Sequence, residues 1–272
     1  MLRGVFVAVG VPDSLRLRVS ALELVVPEHA VVVDRTAAWL HGVDALPRTA
    51  IHRMPSLDVF SRAGARLRRP ELASGCRDLT ARDLDRIGGL AVTTPLRTTC
   101  DLGRLLWRFD ALAAIDGFLR IGVGHGLLLS EVERFKGYRG IRQLRMLAPL
   151  GDPGAESPPE SALRLHWYDA ELPPPETQIW VDDDTGAGRF RIDVGTRTVK
   201  YGAEYFGEAF HAPDQHERDE GRLAWLREER GWHMDVFTRV DVYGSELLAS
   251  ERLRRGHHAA AARMPTYIDL SR

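Results

Sequence analysis

The sequence predicts an α+β domain, a helical connector and a C-terminal α/β domain with the element order α-β-β-β-α-β. Three observations lead there. Short strand-like and helix-like stretches alternate up to about residue 97. Helical patterning then runs from about 98 to 150 and stops at the break Gly151-Asp152-Pro153-Gly154. Beyond the break, three strand-like segments follow one helix, and a fourth follows a second helix. The expected boundaries are 1–97, 98–152, 153–245, and a C-terminal tail at 246–272.

Gly4 to Val9 reads as a strand, closed by Gly10 and Pro12. Leu15 to Val26 has helical spacing and stops at Pro27. Asp34 to Gly42 reads as a capped helix, with Asp34 at the N-cap and Gly42 just past the end. Residues 49–60 alternate as a strand, and Arg62 to Arg69 reads as an exposed basic turn. Thr80 to Leu84 is a turn or helix start; Leu90 to Pro95 is a strand entering a helix over Leu96–Trp107. Asp110 to Arg120 is amphipathic, Ser130 caps a segment through Phe135, and Gly140 to Arg145 is helical. In the last domain, a helix over Pro158–Glu171 ends at Pro173-Pro174-Pro175. Strands are expected at Thr177–Val181, Arg189–Val194 and Val199–Phe206. A helix from about Gln215 to Glu229 and a strand over Trp232–Thr238 complete it.

Composition bounds the function. No run of about 18 apolar residues is present, so no membrane span is expected, and a cytoplasmic location follows. Two cysteines, Cys76 and Cys100, make neither a disulfide framework nor a zinc site. Cys100 sits in an apolar pattern and reads as a core residue. The net charge of −1 hides an asymmetry: residues 1–150 hold 22 basic and 15 acidic side chains, residues 151–272 hold 15 and 23. A basic front half suits a polyanionic partner such as DNA. Arg62, Arg66, Arg68 and Arg69 form one cluster suited to DNA phosphates, and Arg139, Arg142 and Arg145 a second. The competing reading for each cluster is a solvated face.

The chemistry concentrates at 189–211. A hairpin turn centred between Thr198 and Val199 sets Asp193 directly opposite Glu204, with Cβ atoms about 4.5–5.5 Å apart. A turn centred on Gly195-Thr196 would break that pairing. Opposed carboxylates repel unless a cation lies between them. Mg²⁺ or Mn²⁺ at such a pair would activate water and neutralise a phosphate. Glu160 is a third candidate ligand, although Ser157-Pro158-Pro159-Glu160 is also a capping box, in which Glu160 would return to the Ser157 amide. His211 is either a general base or a surface histidine before a helix. Asp182-Asp183-Asp184 reads as a polar turn rather than a calcium loop.

Residues 154–245 resemble the very-short-patch-repair-like branch of the PD-(D/E)XK endonucleases, in the form common in actinobacterial proteins. The resemblance rests on Gly154-Ala155-Glu156-Ser157, Pro159-Glu160-Ser161, Glu176-Thr177-Gln178, Ile192-Asp193, Ala203-Glu204-Tyr205, Phe210-His211 and Ala224-Trp225-Leu226. Residues 1–110 resemble an AbiEi-type winged-helix antitoxin module, through Arg35 to Gly42 and Val92 to Leu102. The resemblance implies a restriction-endonuclease-like fold behind a winged-helix-like domain. It further implies a metal held by Glu160, Asp193 and Glu204 with His211 nearby, a DNA substrate, and a toxin-like protein partner. Two departures stand out. Phe206 occupies a position where the family has aspartate and the nuclease pattern asks for lysine, which favours a DNA-binding regulator without turnover. The chain also begins at what should be the wing strand, so the helices that usually precede it, including the recognition helix, are expected to lie upstream of Met1 or to be lost.

Overall fold

In a computed structural model, residues 5–47, 55–61, 72–207, 213–244 and 248–264 are described, the side chains of 213–217 excepted. The chain divides into two units, Met1–Pro153 and Gly154–Arg272.

The first unit begins without the expected strand, since Val5 to Val9 carry no ladder. Its elements are α1 (Leu15–Glu23), β1 (Ala30–Val32), α2 (Asp34–Leu40), β2 (Leu57–Ser61), β3 (Leu72–Ala73), β4 (Leu84–Ile87) and β5 (Leu90–Thr93). The strands form one mixed sheet in the order β3-β2-β1-β5-β4, with β1 antiparallel to β2 and parallel to β5. The sequence does not announce β1, β3 and β4, which are only two to four residues long. They are strands because neighbours supply the ladder. Val19 and Leu22 of α1 and Ala37 and Leu40 of α2 bury against Val32, Leu90 and Val92.

Four helices follow: α3 (Pro95–Leu105), α4 (Arg108–Arg120), α5 (His125–Val132) and α6 (Ile141–Leu147). Thr94 caps α3 by accepting the Arg97 N–H at 3.2 Å, with Pro95 in the first turn. Ser130 does not cap a helix; it lies inside α5 and its hydroxyl donates to the Leu127 carbonyl. Gly140, at φ +80°, begins α6 so close to α3 that a Cβ there would lie 1.9 Å from the Arg104 carbonyl oxygen. Cys100 is fully buried, and burial pushes its thiol up to about 12, in keeping with a core role.

Charges, as well as apolar contacts, tie these elements together. Asp101 of α3 is 1% exposed and takes Arg77 (3.2 Å), Arg97 (2.8 Å) and Arg104 (2.7 Å). Arg77 also binds Asp34; Arg97 reaches Asp83 at 3.2 Å, and Arg134 binds Asp83 and Glu131. The ring of Phe135 lies under the guanidiniums of Arg97, Arg104 and Arg134, at 5.2, 5.7 and 6.0 Å. Burial would raise Asp83, yet hydrogen bonds from Arg134 and Thr80 hold it well below the usual carboxylate range. Because Arg77 claims its carboxylate, Asp34 is not the N-cap. It is the first residue of α2, at φ +49°, and Asp58 of β2 instead accepts the Arg35 N–H at 3.1 Å.

The second unit comprises α7 (Pro158–Asp169), β6 (Glu176–Asp182), β7 (Gly188–Thr196), β8 (Tyr201–Tyr205), α8 (Pro213–Glu228), β9 (His233–Phe237), α9 (Arg239–Tyr243) and α10 (Leu248–Ala261). Its sheet runs β6-β7-β8-β9, antiparallel except for β8 beside β9. Leu223, Trp225 and Leu226 of α8 cover Ile179, Val181, Ile192 and Met234. Residues 246–272, expected as a tail, contain α10, whose Ala249, Leu253 and Ala260 are buried. Gly256 explains how closely α10 sits: a Cβ there would lie 2.2 Å from Asp235 Oδ2.

Removing the carboxylate at the centre of the first unit leaves three arginines short of a partner. Asp101→Asn is expected to cost about 3–5 kcal/mol, the usual penalty for breaking a buried pair from one side, read as a lower urea midpoint of the full chain.

Candidate functional site

The candidate site lies where α7, β7, β8 and α8 of the second unit meet. The hairpin takes the register expected for a turn between Thr198 and Val199: Val194 pairs with Ala203, Gly195 with Gly202 and Thr196 with Tyr201. The ladder ends there. At the next position the Asp193 side chain, not its backbone, accepts the Tyr205 N–H at 3.1 Å. Glu204 is 1% exposed, and its carboxylate is gripped at both oxygens by Arg222 of α8, Nη1 to Oε1 at 3.0 Å and Nη2 to Oε2. The same Nη1 reaches the Arg191 carbonyl at 3.4 Å.

Glu160 stands in the first turn of α7. Ser157 caps the helix by accepting the Glu160 N–H, and its hydroxyl donates to Glu160 Oε1 at 2.6 Å. The return bond comes from the Glu156 N–H at 2.9 Å, not from the Ser157 amide as the sequence led us to expect. Gln178 of β6 adds a bond from Nε2 to Glu160 Oε2 at 2.9 Å. Gln178 holds a left-handed backbone, φ +52°, and its Oε1 is buried with no hydrogen-bond partner.

These acids feel one another. Burial pushes Asp193 up to about 6, and the negative charge of Glu160 adds to the shift. Burial likewise pushes Glu204 up to about 7; Arg222 pulls the other way, and Asp193 raises it further. The hairpin register sets Asp193 opposite Glu204, and the charge of Glu160 reaches Asp193. Yet among the described residues no group of three or more His, Cys, Asp and Glu is arranged to hold a metal ion. Phe206, at the position of the expected lysine, packs on the α8 core cluster with Arg222 5.9 Å from its ring. Lys200 points elsewhere, donating to the Arg230 carbonyl at 3.0 Å. His211 lies outside the described residues.

Sequence reasoning missed Arg222 and gave Gln178 no role. A signal for Arg222 existed: Trp225 and Leu226, at i+3 and i+4, place it on the buried face of α8, where a cation needs a partner.

Of the basic clusters, Arg62, Arg66, Arg68 and Arg69 lie outside the described residues. Arg139, Arg142 and Arg145 are exposed on and beside α6. Arg145 pairs with Glu133 at 2.8 Å, while Arg139 and Arg142 make no ion pair among the described residues.

Comparison with known proteins places the front of the chain. Residues 29–150 match the AbiEi antitoxin C-terminal domain. The stretch expected as a separate connector, 98–152, thus falls almost wholly within the matched domain. Over 263 residues the chain is 32% identical to uncharacterized protein Rv2248 of Mycobacterium tuberculosis (strain ATCC 25618 / H37Rv) and to uncharacterized protein MT2308 of strain CDC 1551 / Oshkosh. Each alignment covers 96% of this chain and 89% of the relative. No solved structure matches the chain. None of these matches supports a nuclease domain at 153–245.

The raised acids have a consequence for stability. A carboxyl whose folded pKa lies above its unfolded value of about 4 stabilises the fold fully below that value. The contribution is lost as pH rises through the folded pKa, here about 6 for Asp193 and about 7 for Glu204. Hydrogen exchange of β7 and β8 amides should therefore show weaker protection at pH 8 than at pH 5, after correction for intrinsic rates. Asp193→Asn should recover protection at pH 8 and change little at pH 5.

Proposed function

As a member of one family with these uncharacterized M. tuberculosis proteins, carrying an AbiEi antitoxin C-terminal domain at residues 29–150, the chain, we propose, is a DNA-binding, antitoxin-like regulator and not a working endonuclease. The antitoxin-domain match carries this reading. The charge of the chain agrees with it, since residues 1–150 hold seven more basic than acidic side chains. Arg139 and Arg142 add exposed cations without ion-pair partners among the described residues.

In this reading the first unit meets DNA phosphates, and a toxin-like protein is the second partner. Arg66, Arg68 and Arg69 remain the sequence's choice for meeting the phosphates, supported by Arg139 and Arg142. The second unit contributes structure rather than turnover, because Phe206 can neither bind a metal nor position a water.

A nuclease reading draws support from one observation, the register that sets Asp193 opposite Glu204 beside α7 in a unit of order α-β-β-β-α-β. The same arrangement counts against it, since the partner of Glu204 is an arginine.

Fluorescence anisotropy with a labelled duplex separates the readings. The full chain should bind DNA with an affinity that falls steeply as salt rises. Replacing Arg66, Arg68 and Arg69 by alanine should reduce the logarithmic salt slope by about one for each phosphate no longer neutralised. Supercoiled plasmid should stay intact with Mg²⁺ or Mn²⁺. Binding without salt dependence would defeat the proposal, as would plasmid cleavage that Asp193→Ala abolishes.

A further inference from the structure

Hydrogen bonds already engage most of the carboxylate oxygens of the three acids of the second unit, the atoms that a hard divalent cation would need. Magnesium and manganese take several oxygens at once, and carboxylates serve them only where the oxygens are free to turn inward. Here Glu204 gives both oxygens to Arg222. Glu160 gives one to the Ser157 hydroxyl and the other to the Glu156 N–H and the Gln178 amide. Asp193 gives Oδ2 to the Tyr205 N–H. A divalent cation at Glu204 would also stand against the Arg222 guanidinium, cation beside cation.

Arg222 is itself held from several sides. The Arg191 carbonyl accepts from it at 3.4 Å, Asp219 lies 4.0 Å away one turn earlier on α8, and the Phe206 ring is 5.9 Å from its guanidinium carbon. The planar fork matches the carboxylate at two points, which a lysine could not do. Phe206 and Arg222 thus belong together: where a nuclease pattern would place a lysine, a ring packs beside the arginine that neutralises the neighbouring acid.

We propose that Arg222 is a built-in counter-ion that takes the place of a divalent cation at Glu204, so that the second unit refuses metal and becomes a cation site only when Arg222 is removed. DNA binding by the first unit, present or absent, leaves this pairing unchanged.

Mn²⁺ titration of the full chain by calorimetry at pH 7.5 tests it, with thermal melting followed in parallel. The wild type should show no saturable binding below the millimolar range, whereas Arg222→Met, which keeps an apolar stem and removes the charge, should bind at least about tenfold more tightly. That gain should vanish in Arg222→Met/Asp193→Asn, which separates the site from adventitious binding at surface histidines. Arg222→Lys keeps a point charge and should still refuse Mn²⁺. Because Arg222→Met leaves Glu204 buried without its counter-ion, the variant is expected to melt early and to be restored by Mn²⁺. Two results overturn the proposal: wild-type binding of Mn²⁺ that Glu204→Gln abolishes, or an Arg222→Met variant that neither binds Mn²⁺ better than wild type nor is stabilised by it.

Discussion

The first unit depends on one carboxylate. Asp101 holds Arg77, Arg97 and Arg104 at 3.2 Å or less with almost no access to water. Through those arginines it reaches Asp34 at the head of α2 and Asp83 before β4. The apolar layer that α1 and α2 make with the sheet is small, whereas α3 to α6 bury Leu102, Leu112, Ile115, Phe118, Leu128 and Leu144 completely. A buried ion network contributes little over an apolar core of the same volume, but it tolerates no missing member. It therefore specifies the arrangement: the sheet and the α3–α6 helices must meet where the charges match. This is the physical reason that the helices behave as part of the domain rather than as a connector to the next one.

The second unit handles charge in the opposite way. Its acids gather at the sheet with a single guanidinium directly opposed to Glu204, and two of them are pushed up towards neutrality. In the first unit, Asp83 is held down by its arginines; in the second, burial outweighs the one arginine available. Carboxylates so arranged are costly to keep ionised, and clusters of this kind occur where function once needed them or still does. The Arg222 pairing reconciles the cluster with the proposed antitoxin-like role, because it satisfies Glu204 without a metal.

Much of the fold was legible along the chain. Proline and capping residues marked the starts of α3 and α7, and alternation with a polar turn marked β7 and β8 in the right register. Where reading failed, a distant partner had overridden a local rule. Asp34 looks like an N-cap but is drawn to Arg77, 43 residues away. Ser130 looks like a cap but lies inside α5. Val5 to Val9 look like a strand but find no neighbour to pair with among the described residues. Three short strands escaped notice because a ladder, rather than residue preference, makes them strands. For the site, the sequence marked Glu160, Asp193 and Glu204, since acids at turn and cap positions stand out. It could not show what holds them.

The sequence alone therefore determined the order of elements from α7 to β9, the hairpin register and the crowding of acids near β7 and β8. Those depend on periodicity, turn residues and spacing, which act over a few positions. Only the tertiary structure decided the partner of each charge. Arg222 is 18 residues from Glu204 and Gln178 is 18 from Glu160, separations that no local pattern spans. Packing α8 over the sheet brings the guanidinium to the acid. The opposed carboxylates expected across the hairpin are thereby seated, Glu204 on an arginine and Asp193 on a backbone amide.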